Sequence, residues 1–418
     1  MDKNNGAIYD ARKLGKPKMI ILGVQHMFAM FGATILVPIL TGLDISTTLL
    51  MAGLGTLLFH CITKFKVPAF LGSSFAFLGG YAAIKAFSPN DPNSMLPYAC
   101  LGVACAGLIY FILAAVIKAV GIEKVMRFFP PVVTGPIIIA IGLGLAPSAV
   151  SNCTTNWFLA VVALAVIVVF NIWGKGMAKI IPIILGLLIS YGTGLVLYFI
   201  SQANPDLIQN VPWLFSGGVD ANGVYQPIFD FTSLNTICDN ISKGHIFGSE
   251  GLIGIPIHWD KTVFGGIDYS NGALIASSII AIVPIAFATM MEHIGDICAI
   301  SSTTGNNYIK DPGLHRTLVG DGLATTLASL FGGPANTTYG ENTGVLALTR
   351  VYDPRVIRIA AYFAVAVSFF PIVSVIIGSI PSCIIGGISF VLYGMISAIG
   401  VRNVVENKVD FTKSRNLI

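Results

Sequence analysis

The chain has 418 residues, of which 55% are hydrophobic and only 11% are charged, with a formal net charge of +4. Soluble proteins carry about a quarter charged residues, so this composition, with a mean hydropathy of +0.80, excludes a soluble globular protein and indicates a membrane protein. The first 18 residues are polar and show no apolar stretch with a cleavage site, so we expect no secretory signal peptide.

Apolar runs long enough to cross a bilayer recur along the whole chain. They fall near residues 19–40, 47–63, 67–87, 95–118, 130–149, 155–173, 179–200, 271–300, 315–333, 336–350, 356–377 and 380–400. These twelve segments predict an all-α polytopic membrane protein. The runs 67–87 and 336–350 contain short polar, strand-like stretches, so we expect each to be part extended and part helical.

Basic residues are distributed unequally between the predicted loops. With the N-terminus inside, only Lys85, Lys243 and Lys261 lie in outer segments, which leaves 24 − 3 = 21 of the 24 Lys and Arg residues inside. This asymmetry follows the positive-inside rule and predicts a cytoplasmic N-terminus. The stretch 201–270 is the only long polar insertion, and this topology places it outside.

Short motifs that occur twice predict an internal repeat. The pairs are Gln25-His26 with Glu292-His293, residues 72–77 with 336–341, and, more loosely, 131–135 with 381–386. Because seven spans precede the second copy, the two copies are expected to be inverted in the membrane. Inverted repeats with broken spans at matching places are typical of secondary transporters, whose sites lie at the midplane. The second copy shows only five spans, so we expect a truncated chain.

Four acidic residues lie within or near the predicted spans: Glu292, Asp296, Asp321 and Glu341. An acid inside a membrane is a functional-site hypothesis by default. Glu292 and Asp296 are four residues apart and share one helical face. Two close carboxylates do not both ionise easily, so we expect one of them to carry a proton. The structural alternative is a pair hydrogen-bonded to the backbone or to His293.

The broken segments carry candidate binding residues. Glu341 precedes a helix start, where free N–H groups and the helix dipole favour an anion, and its carboxylate can accept N–H donors from a flat heterocycle. Phe75 and Tyr339 occupy matching breaks and offer stacking faces to a planar ligand, with ordinary packing as the alternative.

For the other candidate residues, an ordinary structural role explains the residue as well as a functional one. Ser73, Ser74, Thr337 and Thr338 are expected to satisfy exposed backbone. His26 and His293 are as well explained by a hydrogen bond to a neighbour. Asp321, which we place near the inner end of its span, is as well explained by capping or by a contact between helices.

Other classes of protein find little support. The seven cysteines show no ligand spacing, so we predict no metal and no cofactor. There is no HExxH motif and no nucleophile elbow, so we predict no enzyme. An anion transporter or channel stays an alternative, although the broken segments hold no Lys or Arg to supply a positive pore.

The motif Glu341-Asn342-x-Gly344-x4-Thr349-Arg350 resembles the signature of the nucleobase–ascorbate transporter family. Gln25-His26, residues 72–77 and Glu292-His293 extend the resemblance over nearly the whole chain. With Glu at the first motif position, the motif resembles that of the bacterial uracil carriers of the family. Purine carriers usually have Gln at this position.

The resemblance implies a fold of fourteen spans in two inverted seven-span repeats, divided into a core and a gate domain. It implies core segments at 1–120 and 271–378, gate segments at 121–200 and 379–418, and an extracellular loop at 201–270. Two spans of the gate are then missing from this chain. The resemblance also implies a homodimer in the cell membrane, with no nucleic acid partner.

The resemblance further implies proton-coupled uptake of uracil. Glu292 and Glu341 would bind the base, Phe75 would stack on it, and Tyr339 and Gly340 would contribute backbone contacts. Uracil carriers of the family commonly have His at the position of Asp296, whereas many purine carriers have Asp there. A xanthine or urate permease of the same family is therefore the nearest alternative.

Overall fold

The computed structural model describes residues 7–121, 124, 130–220 and 222–416. Its helices, in chain order, are α1 Lys16–Thr41, α2 Ile45–Ile62, α3 Leu78–Lys85, α4 Leu96–Val120, α5 Pro131–Cys153, α6 Trp157–Trp173, α7 Pro182–Ala203, α8 Asp206–Asn210, α9 Pro212–Phe215, α10 Thr232–Ser242, α11 Val263–Gly266, α12 Gly272–Ile282, α13 Ala286–Thr304, α14 Leu314–Leu330, α15 Gly340–Thr349, α16 Pro354–Ser368, α17 Pro371–Gly378 and α18 Ser382–Glu406. The strands are β1 Leu71–Ser73, β2 Ser216–Val219, β3 Tyr225–Pro227 and β4 Asn336–Thr338.

The helices account for the predicted spans. In the described part of the chain, seven helices are long and apolar enough to cross a membrane, and the bent pair α16 and α17 makes up to eight. The other four predicted segments correspond to α6, α14 and the two interrupted spans. The prediction of a polytopic all-α protein with two discontinuous spans is confirmed.

One predicted span is not straight. The run 356–377 was expected to be continuous, but α16 and α17 are bent by 87° at the break between them. α16 ends at Ser368, and α17 begins at Pro371. A proline has no N–H to continue the helical ladder and disfavours helical backbone in the preceding residue. The break at this proline explains the bend.

The described residues form two compact units. Unit 1 comprises 1–128 and 246–374, and unit 2 comprises 129–245 and 375–418. The polar insertion 201–270 is therefore not one structural piece, since its first part belongs to unit 2 and the rest, from Ile246, belongs to unit 1. In unit 2 it contains the antiparallel hairpin β2–β3.

The two interrupted spans meet in unit 1 through an antiparallel strand pair. β1 and β4 are paired with the register Leu71↔Thr338, Gly72↔Thr337 and Ser73↔Asn336. Backbone bonds from Ser74 N to the Ala335 oxygen (2.9 Å) and from Tyr339 N to the Phe70 oxygen (3.1 Å) extend the pairing at both ends. Extended backbone at membrane depth requires such internal partners. We call this element the strand crossing.

Side chains from neighbouring helices satisfy the outer edges of the strand crossing. Thr56 Oγ1 of α2 accepts from Leu71 N at 2.9 Å and donates to the Leu71 oxygen at 3.1 Å. On the other strand, Thr325 Oγ1 of α14 donates to the Asn336 oxygen at 2.5 Å. These hydroxyls occupy positions where a sheet would otherwise expose unpaired groups, so they hold the crossing in place.

Gly72 is required by the close approach of Tyr339. A Cβ at Gly72 would lie 2.5 Å from Cε2 of Tyr339 and 2.7 Å from Oγ1 of Thr34. We expect Gly72→Ala to destabilise the protein by about 1–3 kcal/mol through overpacking. Thermal unfolding of the purified protein in detergent measures the loss.

Gly79→Ala is the matched control for this substitution. Gly79 lies in α3, and nothing lies within 4 Å of a Cβ placed there. Because alanine is a better helix former than glycine, this variant should be at least as stable as the parent. Equal unfolding temperatures for the two variants would contradict the role assigned to Gly72.

Candidate functional site

A helix N-terminus follows the strand crossing at each of its two ends, because β1 and β4 are antiparallel and each strand leads into a helix. α3 begins at Leu78, five residues after β1 ends, and α15 begins at Gly340, two residues after β4 ends. The first turns of both helices present N–H groups without helical partners and a positive partial charge. Such ends bind carbonyl oxygens or anions.

Phe75 and Tyr339 differ in accessibility although they occupy matching positions. The ring of Tyr339 is 5% exposed and lies over Gly72. Its hydroxyl donates to the Ser73 oxygen at 2.8 Å and accepts from Thr34 Oγ1 at 3.3 Å. This burial contradicts the expectation of a stacking face at Tyr339. Phe75 is half-buried, so its ring retains accessible surface.

Asp296 lies beside the start of α15. Its Oδ2 accepts a hydrogen bond from Thr338 Oγ1 at 2.8 Å, and its Oδ1 would lie 3.6 Å from a Cβ at Gly340. Asp296 is half-buried and Gly340 is exposed. A carboxylate at this place is stabilised by the positive end of the helix. The hydroxyl of Thr338 therefore binds a carboxylate and does not serve only the backbone.

A buried pair links α13 to α14. His293 Nδ1 lies 2.7 Å from Asp321 Oδ2, and both side chains are fully buried. Thr338 Oγ1 lies 3.4 Å from the same His293 nitrogen, which connects the pair to β4. The placement of Asp321 near the inner end of its span was wrong, because it occupies the middle of α14. Among its two alternatives, the contact between helices is the one observed.

Three further candidates lie on helices of unit 1: Glu292 on α13, and Gln25 and His26 on α1. Glu292 is exposed and Gln25 is half-buried, and both make interactions with other residues. His26 on α1 is fully buried. Neither of its ring nitrogens has a hydrogen-bond partner among the residues that the structure describes, so the alternative of a bond to a neighbour is not observed there.

The signature motif runs along α15. Glu341 is its second residue, but its side chain lies outside the described part of the structure. Asn342 is buried, and neither atom of its amide has a hydrogen-bond partner in the described ranges. A buried amide without partners is costly, so Asn342 is a polar group held at the start of α15 by the fold.

The second half of the motif lies at the opposite end of α15. Thr349 Oγ1 donates to the Val345 oxygen at 2.8 Å, and Arg350 follows with a left-handed φ of 54°. The Arg350 oxygen accepts from Ile8 N at 2.8 Å. α15 has 10 residues, so its ends are about 15 Å apart. These two residues lie at the end of the helix, away from its start at the strand crossing.

Ser73 and Ser74 satisfy backbone as expected. Ser73 Oγ donates to the Thr34 oxygen at 3.2 Å, and Ser74 Oγ accepts from Ala76 N at 3.4 Å. Sequence reasoning missed Thr34, which contacts both the Ser73 hydroxyl and the Tyr339 hydroxyl. A threonine in an otherwise apolar stretch of α1 was the available signal.

The fold and the site together define a class of protein: a multi-pass membrane protein whose interrupted spans meet at a polar strand crossing. Two solved structures share this fold. The transmembrane domain of a cyanobacterium bicarbonate transporter BicA matches with a TM-score of 0.58 at 13% identity, covering 96% of this chain and 98% of that chain. The overall structure of SLC26A9 matches with a TM-score of 0.52 at 11% identity, covering 93% of this chain and 59% of that chain.

Sequence comparison gives the family. The profile of the Permease family (Xan_ur_permease) matches residues 17–418. The uracil permease of Bacillus caldolyticus is 37% identical over 410 residues, covering 96% of this chain and 82% of that protein. The uracil permease of Bacillus subtilis (strain 168) is 38% identical over 412 residues, covering 96% and 82%. The putative pyrimidine permease RutG of Escherichia coli (strain K12) is 35% identical over 419 residues, covering 99% and 84%. The chain belongs to the Permease family, which confirms the resemblance found in the sequence.

Proposed function

We propose that this permease imports uracil together with a proton across the cell membrane, with its N-terminus in the cytoplasm. The observation that supports the proposal is the strand crossing, which interrupts two spans with polar extended backbone and leads into α3 just after Phe75 and into α15 at Gly340. Relatives named uracil permeases, similar over 96% of the chain, support the choice of uracil. The orientation rests on the positive-inside asymmetry.

The chemistry of the crossing suits a flat base with N–H donors and carbonyl acceptors. Phe75 stacks on the ring, and the Glu341 carboxylate accepts N–H bonds. N–H groups at the start of α15, beginning with that of Gly340, donate to the carbonyl oxygens. The N–H of Tyr339 is bonded to the Phe70 oxygen, so the backbone contact assigned to Tyr339 is made by its carbonyl oxygen. Such a site recognises the hydrogen-bonding edges of the base, so it distinguishes one base from another more strongly than an apolar pocket does.

Proton coupling is assigned to Glu292 and Asp296 on α13. Asp296 is hydrogen-bonded to Thr338, so a change in its charge acts directly on β4 and the start of α15. Glu292 is the more exposed of the two and is the residue that meets the base in this proposal. Protonation and uracil binding then favour the same state, and each raises the affinity of the other.

Every candidate site residue belongs to unit 1, by the residue ranges of the two units. We propose that unit 1 is the core domain, which carries the substrate, and that unit 2 is the gate domain. Transport then proceeds by alternating access. The homodimer implied by the family resemblance belongs to this proposal, and mass measurement of the protein in nanodiscs tests it.

Uptake by cells that lack their own nucleobase carriers tests the substrate. We expect accumulation of labelled uracil, with unlabelled uracil competing better than xanthine or urate. Uptake of xanthine with uracil excluded would support the purine alternative instead. Uptake of bicarbonate without either base would indicate an anion transporter of the same fold.

Phe75→Ala should weaken uracil binding because it removes the stacking face. Stacking on an aromatic side chain contributes about 1–3 kcal/mol per base, so the affinity should fall roughly fivefold to more than a hundredfold. The pH dependence of binding should not change, since Phe75 does not titrate. Calorimetry at two pH values measures both quantities.

Phe331→Ala is the matched control. Phe331 lies at the end of α14, is half-buried like Phe75 and contacts Phe264 with ring centroids 5.9 Å apart. It should bind uracil normally. Normal binding by Phe75→Ala would remove Phe75 from the site.

A further inference from the structure

A second group of charged side chains in unit 1 lies outside the candidate site. A cavity of about 270 Å³ lies between the C-terminal end of α4 and the segment that leads into α14. Its lining includes Ile117, Lys118, Lys310, Gly313, Leu314 and His315. We call it the basic cavity. None of these residues takes part in the proposed transport of uracil.

Among the residues that the structure describes, no acid forms an ion pair with the lysines of the basic cavity. Within the described ranges, no carboxylate is paired with the ammonium group of Lys118 or of Lys310. Asp311 is next to Lys310 in the chain, but its carboxylate binds Lys66, with the nitrogen 2.6 Å from Oδ2. The two lysines are therefore available to an anionic ligand.

The wall of the cavity is built around Gly313. Its φ is +102°, and a Cβ there would lie 2.6 Å from Cε1 and 2.8 Å from Nδ1 of His315. The imidazole therefore lies directly against the backbone of Gly313, at the start of α14. A third nitrogen-bearing side chain is thus fixed at the cavity by a position that only glycine accommodates without strain.

The surface of α4 that precedes the cavity is apolar and exposed. Ile112 is 61% exposed, Val116 is 42% exposed and Val120 is 46% exposed. In a helix that spans a membrane, such a surface contacts acyl chains. In the proposed orientation, on which this inference rests, Lys118 and Lys310 are inner basic residues, which places the cavity at the level of the cytoplasmic headgroups. Basic pockets between helices on this side bind anionic headgroups.

We propose that the basic cavity binds the phosphodiester headgroup of an anionic phospholipid. Lys118 and Lys310 contact the phosphate oxygens, His315 donates a further hydrogen bond, and the acyl chains lie along the exposed flank of α4. A free phosphate ion has the same charged group but gains nothing from the apolar surface beside the cavity. The continuity of charge and apolar surface therefore favours the lipid.

The test uses the purified full-length protein in a neutral detergent, with phosphatidylglycerol as the probe and phosphatidylcholine as the uncharged reference. Retained lipid is measured by native mass spectrometry over a lipid titration. We expect Lys118→Gln/Lys310→Gln to lose affinity for phosphatidylglycerol by about thirtyfold, or about fivefold for each lysine. Phosphatidylcholine binding should not change.

Lys175→Gln/Lys179→Gln is the matched control, because it removes the same charge from exposed lysines of another inner segment, far along the chain from the cavity. It should bind phosphatidylglycerol like the parent. Equal losses in the two double variants would mean that only surface charge acts, which overturns the proposal.

Inorganic phosphate separates the two sources of the ligand. If phosphate displaces phosphatidylglycerol at equal concentration, the site takes a soluble anion and the lipid proposal is wrong. If the double variant does not fold, Lys118→Gln alone should still show a loss of about fivefold, and an unchanged titration in that variant overturns the assignment.

Discussion

Glu341→Gln should lower the affinity for uracil by roughly tenfold to more than a hundredfold. The substitution replaces one acceptor oxygen of the carboxylate by an amide donor, so an N–H group of the base meets a donor where it met a charge. A charge-assisted hydrogen bond contributes about 1.5–3 kcal/mol, which sets the expected range. The loss should appear in binding itself, because the proposal assigns Glu341 to the substrate and not to the proton.

Calorimetry with purified protein measures this loss, and Glu406→Gln supplies the control. Glu406 ends α18 and forms an exposed pair with Arg402 at 2.6 Å, so the same chemical change there should leave binding intact. If Glu341→Gln is well folded and binds uracil as the parent does, Glu341 is not the group that accepts the N–H of the base.

The positions of the two strands could be predicted from the sequence. Glycine, serine, threonine and asparagine interrupt apolar runs at 72–74 and 336–338. Several such residues in succession are not typical of a continuous membrane helix. The observed pairing of Gly72 with Thr337 joins the two interruptions. Matching breaks in an inverted repeat are expected to meet near the midplane, so the pairing follows from the repeat.

Side-chain direction could not be predicted in the same way. The repeat makes Phe75 and Tyr339 equivalent, yet Tyr339 is buried over Gly72 and Phe75 is half-exposed. The difference arises because the missing side chain at Gly72 leaves room for one ring, and the Ser73 oxygen accepts from its hydroxyl. A hydropathy pattern contains no information about either contact.

The pair of His293 with Asp321 shows a second limit. The two residues lie on different helices, and no helical periodicity relates them, so the sequence left a structural role for each as an open alternative. The fold places them 2.7 Å apart with both side chains fully buried. Removing one partner leaves the other polar group buried without its partner, which destabilises the fold, so these residues are poor sites for a probe of proton coupling.

Glu292→Gln should abolish accumulation of uracil driven by a pH gradient while keeping measurable binding. Glutamine mimics the protonated acid permanently, so it still donates a hydrogen bond to a uracil carbonyl. It cannot release or take up a proton, and exchange of internal for external uracil should therefore continue. A carrier that crossed the membrane with both Glu292 and Asp296 ionised would meet a steep desolvation barrier in every cycle.

Asp296→Asn should act differently from Glu292→Gln. The amide oxygen of asparagine still accepts from Thr338 Oγ1, which now bonds the carboxylate at 2.8 Å, so the start of α15 keeps its contact. The charge beside the helix N-terminus is lost, so we expect a shift of the pH optimum that exceeds the loss of binding. Because the two acids interact, the measured titration belongs to the pair and not to one residue.

Proteoliposomes with an imposed pH gradient separate these outcomes. The parent and the Glu406→Gln control should concentrate uracil, Glu292→Gln should only exchange it, and Asp296→Asn should concentrate it at a shifted pH. Concentration of uracil by Glu292→Gln to the level of the parent would show that another group carries the proton. Exchange of internal for external uracil needs no net proton movement, so a residue that only couples the proton is not required for it. Loss of exchange as well as accumulation would therefore place Glu292 in substrate binding alone.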